Sequence, residues 1–248
     1  MTDLAVPSPH WSEIWKRRLT QLAPLNGTAL EAMQQSISQL RQVRPREQVL
    51  RDGASDPMLR VLLAGFACRY KYLPDGRRQI TAFILPGDIC DFGFLADMPV
   101  SQEILALSPS TIGSMEVEKL AAVAEAHPQV TTALLRAAVI EQNTAHELVA
   151  SLGGRNALHR VGHFLCEIHH RLHAVGAVRA AGQFELPLTQ SEIGEALGLS
   201  TVHVNRTLQT LRRLGLATVR DRLATLPDPA GLATFCAFDP AYLRPGGK

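Results

Sequence analysis

Residues 189–216, TQSEIGEALGLSTVHVNRTLQTLRRLGL, constrain the fold more than any other stretch of the chain. Their spacing predicts two short helices and a tight turn. Thr189 and Glu192 stand three apart ahead of the apolar Ile193 and Leu197, so the threonine can cap a first helix while the glutamate reaches back to the cap amide. Gly198 suits the left-handed residue that closes that helix. Ser200 is then placed to cap a second helix ending near residue 214.

In the second helix Val204, Leu208 and Leu211 fall at i, i+4 and i+7 and face the first helix. The opposite face is centred on Val202, Arg206, Gln209 and Arg213, with His203 and Asn205 on its flanks and Thr201 near its edge. Side chains of these types can donate to base edges and phosphates. A short glycine turn followed by such a helix is the geometry of a helix-turn-helix with its recognition helix in the major groove. An ordinary helical hairpin with a polar solvent face would share the spacing.

Charge supports the first reading once it is divided along the chain. The formal net charge is only +2, but residues 155–222 carry nine arginines against five acidic residues, leaving the remainder net negative. The 248 residues allow two domains, and 46% hydrophobic content is that of a globular chain. No run of eighteen apolar residues and no charged-then-apolar leader is present, so neither membrane insertion nor secretion is expected. Cys68, Cys90, Cys166 and Cys236 form no C-x-x-C pair, which argues against a zinc ribbon or a disulfide scaffold and fits a reducing, cytoplasmic setting.

Towards the N-terminus, residues 10–42 read as helical, with Leu30, Met33, Ile37 and Leu40 at helical spacing after Thr28 as a cap. The period then changes. Residues 49–50, 60–63, 66–72, 79–85, 103–107 and 111–115 are short β-prone runs, separated by turn signals at Asp52-Gly53, Pro74-Asp75-Gly76 and Pro86-Gly87-Asp88. They predict a small antiparallel barrel or roll with a hairpin at Pro74-Asp75-Gly76.

A helix is expected from about residue 117 and, after Pro128, a long one to residue 152 with Gly153-Gly154 as its stop. The long helix carries two adjacent apolar stripes: Leu134, Ala138, Ala145, Leu148 and Leu152 on one, Leu135, Val139 and Val149 on the next. So wide a face must cover two surfaces, its own roll and a second copy of the chain, unless it is simply a core helix of a monomer. Glu141, Gln142 and Asn143 interrupt the stripes, and polar residues there favour pairing across an axis. The dimer contact is expected at Leu134, Ala138, Glu141, Ala145, Leu148 and Leu152. A further helix at residues 158–173 leads into the helix-turn-helix. Residues 216–219 and 223–226 then flank Arg220-Asp221-Arg222 as a two-stranded wing whose arginines would meet phosphate.

The order of parts and the motif residues resemble the Crp/Fnr superfamily of bacterial transcription regulators. The likeness rests on Leu188-Thr189-Gln190-Ser191-Glu192-Ile193-Gly194 with Gly198-Leu199-Ser200, Val204 and Arg206, and on Leu85-Pro86-Gly87-Asp88 in the roll. It implies an α+β architecture. Residues 1–120 would hold an N-terminal helix and a jelly-roll-like, cyclic-nucleotide-binding-like sensor, residues 121–154 the dimerisation helix, and residues 155–248 a winged helix-turn-helix. It further implies a homodimer on a palindromic double-stranded operator, acting with RNA polymerase and without enzymatic activity. Arg206 matches the family's base-reading arginine, and Thr189, Gln190 and Ser200 lie at helix starts suited to phosphate.

Departures from the pattern set the details. Family members commonly have a glutamate where this chain has Val202. Valine cannot accept from cytosine, so we expect it to touch a thymine methyl while Arg206 donates to guanine and His203 or Asn205 adds a polar contact. In cyclic-nucleotide-binding relatives an Arg followed by Ser or Thr holds the phosphate and a Gly-Glu pair the ribose; here the stretches read Ser101-Gln102-Glu103 and Asp91-Phe92. The cation is absent, and neither cyclic AMP nor cyclic GMP is expected as effector. No cysteine precedes Cys68, which excludes the N-terminal iron-sulfur cluster of oxygen-sensing relatives.

His159, His163, Cys166 and His170 share one helical stripe at i, i+4, i+7 and i+11, with side chains of metal-ligating type. A straight helix cannot wrap four ligands around one ion, and no metal is expected there. A cupin-like enzyme would need histidines on its strands, yet residues 49–115 contain none. An effector- or metal-sensing module that never touches DNA is the alternative, and it would require a degenerate recognition face.

Overall fold

The computed structural model describes residues 11–55 and 57–244. They form two compact units. The first runs through residue 67 and takes in residues 84–137 and 174–176; the second takes in residues 68–83, 138–173 and the described chain from 177 onward.

The chain opens with α1 (Trp11–Leu22) and α2 (Gly27–Gln35). Seven strands follow: β1 (Gln39–Val43), β2 (Gln48–Leu50), β3 (Met58–Ala64), β4 (Ala67–Tyr72), β5 (Arg78–Ile84), β6 (Glu103–Ala106) and β7 (Ser110–Glu116). In the first unit β1, β7 and β3 form an antiparallel sheet in that order, with Gln39 opposite Ser114 and Met58 opposite Glu116. β2 pairs antiparallel with β6. Val43, Val49, Leu50, Leu62, Ile84, Val100, Ile104 and Ile112 fill the interior as one buried cluster. The Leu85-Pro86-Gly87-Asp88 turn is held by the Asp88 carboxylate, which accepts from the Leu85 amide at 2.8 Å and meets Arg18 of α1 at 3.4 Å.

The expected helix over residues 10–42 is corrected. Residue 10 lies outside the described residues, and the rest divides into α1, α2 and β1. Asn26, not Thr28, caps α2, its side chain accepting from the Ala29 amide at 2.9 Å. The Ser36 hydroxyl donates to the Ala32 carbonyl and closes the helix. Leu40 extends the helical row only by coincidence of spacing; it lies on β1, half exposed, because pairing with β7 claims the backbone there.

After α3 (Val117–Ala126) comes α4 (Gln129–Gly154), 26 residues long, whose last turn includes the two glycines expected to stop it. In the second unit, the β4–β5 hairpin closes with the Leu73 amide donating to the Arg77 carbonyl and Gly76 at φ 81. The chain continues through α5 (Ala157–Ala174), β8 (Val178–Arg179), β9 (Gln183–Glu185), α6 (Gln190–Leu197), α7 (Thr201–Arg213), β10 (Thr218–Arg220), β11 (Leu223–Thr225) and α8 (Pro229–Cys236). The wing sheet runs β10, β11, β9, β8, two strands broader than the expected pair.

α8 was not foreseen, and it explains the histidine stripe of α5. His159 meets Phe235 edge-on at 5.1 Å, and His163 meets Phe238 edge-on at 5.0 Å. Cys166 faces Cys236 at 3.9 Å, and the ring of His170 lies 6.2 Å from that of Phe238. All four residues of the stripe are therefore packing partners of α8 and the segment after it. Burial, with Arg155 adding to it, pushes the His163 pKa down to about 4, and burial with Arg244 does the same for His170. A depressed histidine pKa means the unfolded chain binds the extra protons, so this contribution is intact above about pH 6.5 and is lost as pH falls towards 4. Melting temperature should drop through that window, and His163→Gln should flatten the drop; an unchanged profile in that variant would show that His163 does not couple to folding.

Candidate nucleic-acid interface

α6 and α7 are built by local chemistry. The Thr189 hydroxyl accepts from the Glu192 amide at 3.2 Å, and Glu192 accepts from the Thr189 amide at 2.7 Å, completing the capping box. Gly198 takes the left-handed conformation, φ 63 and ψ 38, and ends α6. Gly194 is required for a different reason: a Cβ there would run into the Leu199 carbonyl, because the turn folds back over the helix. Ser200 accepts from the His203 amide at 3.2 Å and starts α7. Val204, Thr207 and Leu211 are buried on the inner side.

The outer side is open. Thr201, Val202, His203, Arg206, Gln209 and Arg213 are all exposed, Val202 by 62%. The Arg206 guanidinium holds no hydrogen bond or ion pair with the described residues, so five donors are available to a ligand. Arg213 is steadied by the Thr210 hydroxyl at 3.0 Å, which itself donates to the Arg206 carbonyl. Asn205 is half buried and bonded to Gln190 and Gln209. Thr189 and Ser200 are exposed at the two helix starts, where backbone N–H groups suit phosphate.

The wing follows from two left-handed residues. Asp221 and Arg222, at φ 49 and 62, form a two-residue hairpin loop between Arg220 and its partner Leu223. Positive φ at both loop positions gives the turn whose twist matches paired strands. Arg220 and Arg222 are exposed at the tip.

Several residues that hold this surface in place were not singled out by sequence. Thr210 lies within about 40° of Arg206 at 100° per residue, so the helical projection contained it. Arg160 gave no signal. Its guanidinium donates to the carbonyls of Leu152 and Arg155 at the end of α4 and to that of Leu197 at the end of α6, at 2.9, 2.8 and 2.7 Å. Three otherwise unsatisfied helix-end acceptors share one cation. From the hairpin, Arg78 pairs with Glu195 of α6 at 2.6 Å and lies over the Tyr70 ring, while Gln79 donates to the Glu195 carbonyl. Beside them the Cys68 thiol is pushed up to about 12, chiefly by burial.

Along α4 the two stripes are treated differently. Leu134 is 4% exposed, Glu141 is paired with Arg69 of β4, Ala138, Leu148 and Leu152 are half buried, and Ala145 is exposed. Leu135, Val139 and Val149 on the neighbouring stripe stay 52–68% exposed. Of the expected contact set only Leu134 is buried, the others being half buried or exposed, and the most open apolar residues lie on the neighbouring stripe. In the roll, Glu103 accepts from Gln48 at 3.2 Å and Asp91 accepts from the Gly93 amide at 2.8 Å, so the stretches expected to replace the phosphate and ribose sites are engaged within the chain.

A capped helix pair with an outward arginine face and a basic wing tip defines a winged helix-turn-helix, here on a chain that also carries an antiparallel roll and a long helix. The profile of the Crp-like helix-turn-helix domain matches residues 159–235, and that of the cyclic nucleotide-binding domain matches residues 40–127. The nitrogen fixation regulation protein FixK of Bradyrhizobium diazoefficiens is 31% identical over 176 residues, 71% of this chain and 73% of that protein. The anaerobic regulatory protein of Haemophilus influenzae is 26% identical over 208 residues, 84% and 80% of the two chains. The solved structure of FixK2 from Bradyrhizobium japonicum superposes with a TM-score of 0.68 at 28% identity, over 79% of this chain and 96% of that one. The chain belongs to the Crp/Fnr family of transcription regulators and is not an enzyme. No helix among the described residues is long and apolar enough to cross a membrane.

Proposed function

We propose that the protein is a homodimer that places one α7 in each of two successive major grooves of a palindromic operator. The observation that carries this reading is the outer face of α7, with an unengaged Arg206 beside an exposed Val202. Arg206 donates to guanine and Val202 packs on a thymine methyl. Thr189, Gln190, Ser200 and Thr201 hold flanking phosphates, and the wing arginines a more distant one. A recognition face this complete leaves the reading without DNA unsupported.

The dimer contact runs along Leu135, Val139, Gln142, His146 and Val149. These alternate at four and three residues, the period that keeps a seam facing its partner in a two-stranded coil. Ala138, Ala145 and Leu152 flank it. Gln142 and His146 are polar seam positions, which in such coils fix register at some cost in stability. Sedimentation of the protein with a labelled operator fragment should give two chains per duplex, with affinity falling steeply with salt. One chain per duplex would overturn the reading.

The effector is not a cyclic nucleotide. Ser101, Gln102 and Glu103 offer no cation to a phosphate, and Glu103 faces it with a like charge at a cost on the order of 1 kcal/mol or more at about 4 Å. Calorimetry with cyclic AMP should show no binding at micromolar concentration, and submicromolar affinity would refute this. The setting is the cytoplasm and the partner at the promoter is RNA polymerase, as family membership supports.

A further inference from the structure

Sequence spacing places Asn205 among the base readers, but its amide is already engaged on both sides. Nδ2 donates to Oε1 of Gln190 at 3.2 Å, and Oδ1 accepts from Nε2 of Gln209 at 2.8 Å. Adenine recognition by an asparagine needs that same Oδ1 and Nδ2 turned together towards N6 and N7 of the base. Here they join three amides across two helices, from the first residue of α6 to the exposed middle of α7.

The consequence falls on the two glutamines. Gln209 is exposed and keeps Oε1 and its second N–H, the acceptor and donor that match adenine N6 and N7. Gln190 has its Oε1 turned to Asn205 and neither N–H engaged among the described residues, so it offers donors, at a helix start that favours an anion. A free glutamine samples many rotamers and two amide orientations, and ordering it on binding costs entropy. The chain of amides removes that freedom before DNA arrives.

We propose that Asn205 is a positioning residue, which aligns Gln209 to read an adenine in the major groove and Gln190 to donate to the neighbouring phosphate. The proposal rests on α7 being the DNA-reading helix. It assigns to Gln209 a base preference separate from that of Arg206, and to Asn205 none of its own.

Binding-site selection from random duplex DNA with the full-length protein tests this, using wild type, Asn205→Ala, Gln209→Ala and Arg206→Ala. Wild type should enrich an inverted repeat containing an A·T pair that Gln209→Ala no longer prefers. Asn205→Ala should weaken the preference at that same pair and keep the guanine that depends on Arg206. Affinity of Asn205→Ala for the wild-type site should fall about 5- to 10-fold, the scale of a contact weakened about 2- to 3-fold at each of two half-sites. Asn205→Ala should cost less in the Gln209→Ala background than in wild type, because the part acting through Gln209 is already lost and only the part acting through Gln190 remains. A merely structural loss would lower affinity uniformly and leave the preference unchanged, and Asn205→Ser serves if the alanine variant fails to fold. The proposal is overturned if Asn205→Ala keeps the A·T preference that Gln209→Ala loses, or loses a pair that Gln209→Ala keeps. No enriched motif with wild type would overturn the DNA reading itself, a result distinct from a motif that Asn205→Ala leaves untouched.

Discussion

Arg206→Ala should abolish operator-specific binding while leaving the fold intact. A bidentate arginine–guanine contact contributes about 1–3 kcal/mol of discrimination. A symmetric dimer makes it twice, so the loss on a full operator is about 2–6 kcal/mol, or roughly 30-fold to 10⁴-fold in affinity. The side chain is exposed and bonded to none of the described residues, which is why melting temperature should not move. Gel-shift titration on the selected operator and on unrelated DNA checks both halves of the expectation. Weak, salt-sensitive binding to unrelated DNA should survive, because phosphate contacts by Arg213 and the wing do not depend on Arg206. Equal loss on both DNAs would mean that Arg206 serves as a phosphate contact only.

Val139→Glu should convert the proposed dimer to a monomer. Val139 is 52% exposed in the single chain and lies in the middle of the proposed Leu135, Val139, Gln142, His146, Val149 seam. The substitution removes about 1.5 kcal/mol of apolar burial per chain and sets two carboxylates against each other across the axis. A monomer loses the effective concentration that makes the second half-site an intramolecular event, so operator affinity should fall at least about 100-fold. Sedimentation at micromolar protein reads the first effect and gel shift the second. Val139→Leu should keep the dimer. A Val139→Glu protein that still sediments as a dimer would place the contact on another surface.

The parts of the fold that were legible in the sequence are those decided within a few residues. The capping box of Thr189 and Glu192, the left-handed Gly198 and the Ser200 cap are each a choice made inside one helical turn, and each occurs in the structure as the spacing required. The length of α4 was equally readable, but not which stripe it hides. That depends in part on Arg69, seventy-two residues away in sequence, which pairs with Glu141 on that side of the helix. Strand β1 was misread because Ile37 and Leu40 continue a helical rhythm that Ser36 has already ended. α8 left little trace, since its buried apolar residues, Leu232 and Cys236, are only two and its Pro229 and Gly231 resemble a loop. At the interface, outward residues followed from helical projection. What Asn205 does could not, because Gln190 is brought to it from α6 by the turn between the helices, although Gln209 lies one turn further along α7.

Arg160 gives the joint between α4 and α6 a mechanical character. One rigid guanidinium fastened to the carbonyl ends of both helices makes that joint a weld rather than a swivel. α4, 26 residues long, is a rod of about 39 Å at 1.5 Å per residue. If two such rods cross near their middles, a change of about 10° in crossing angle displaces each end by roughly 3.5 Å, about one base-pair step on a duplex with 34–36 Å between half-sites. In the proposed dimer a few degrees at the seam would put the two readers in or out of phase with the double helix.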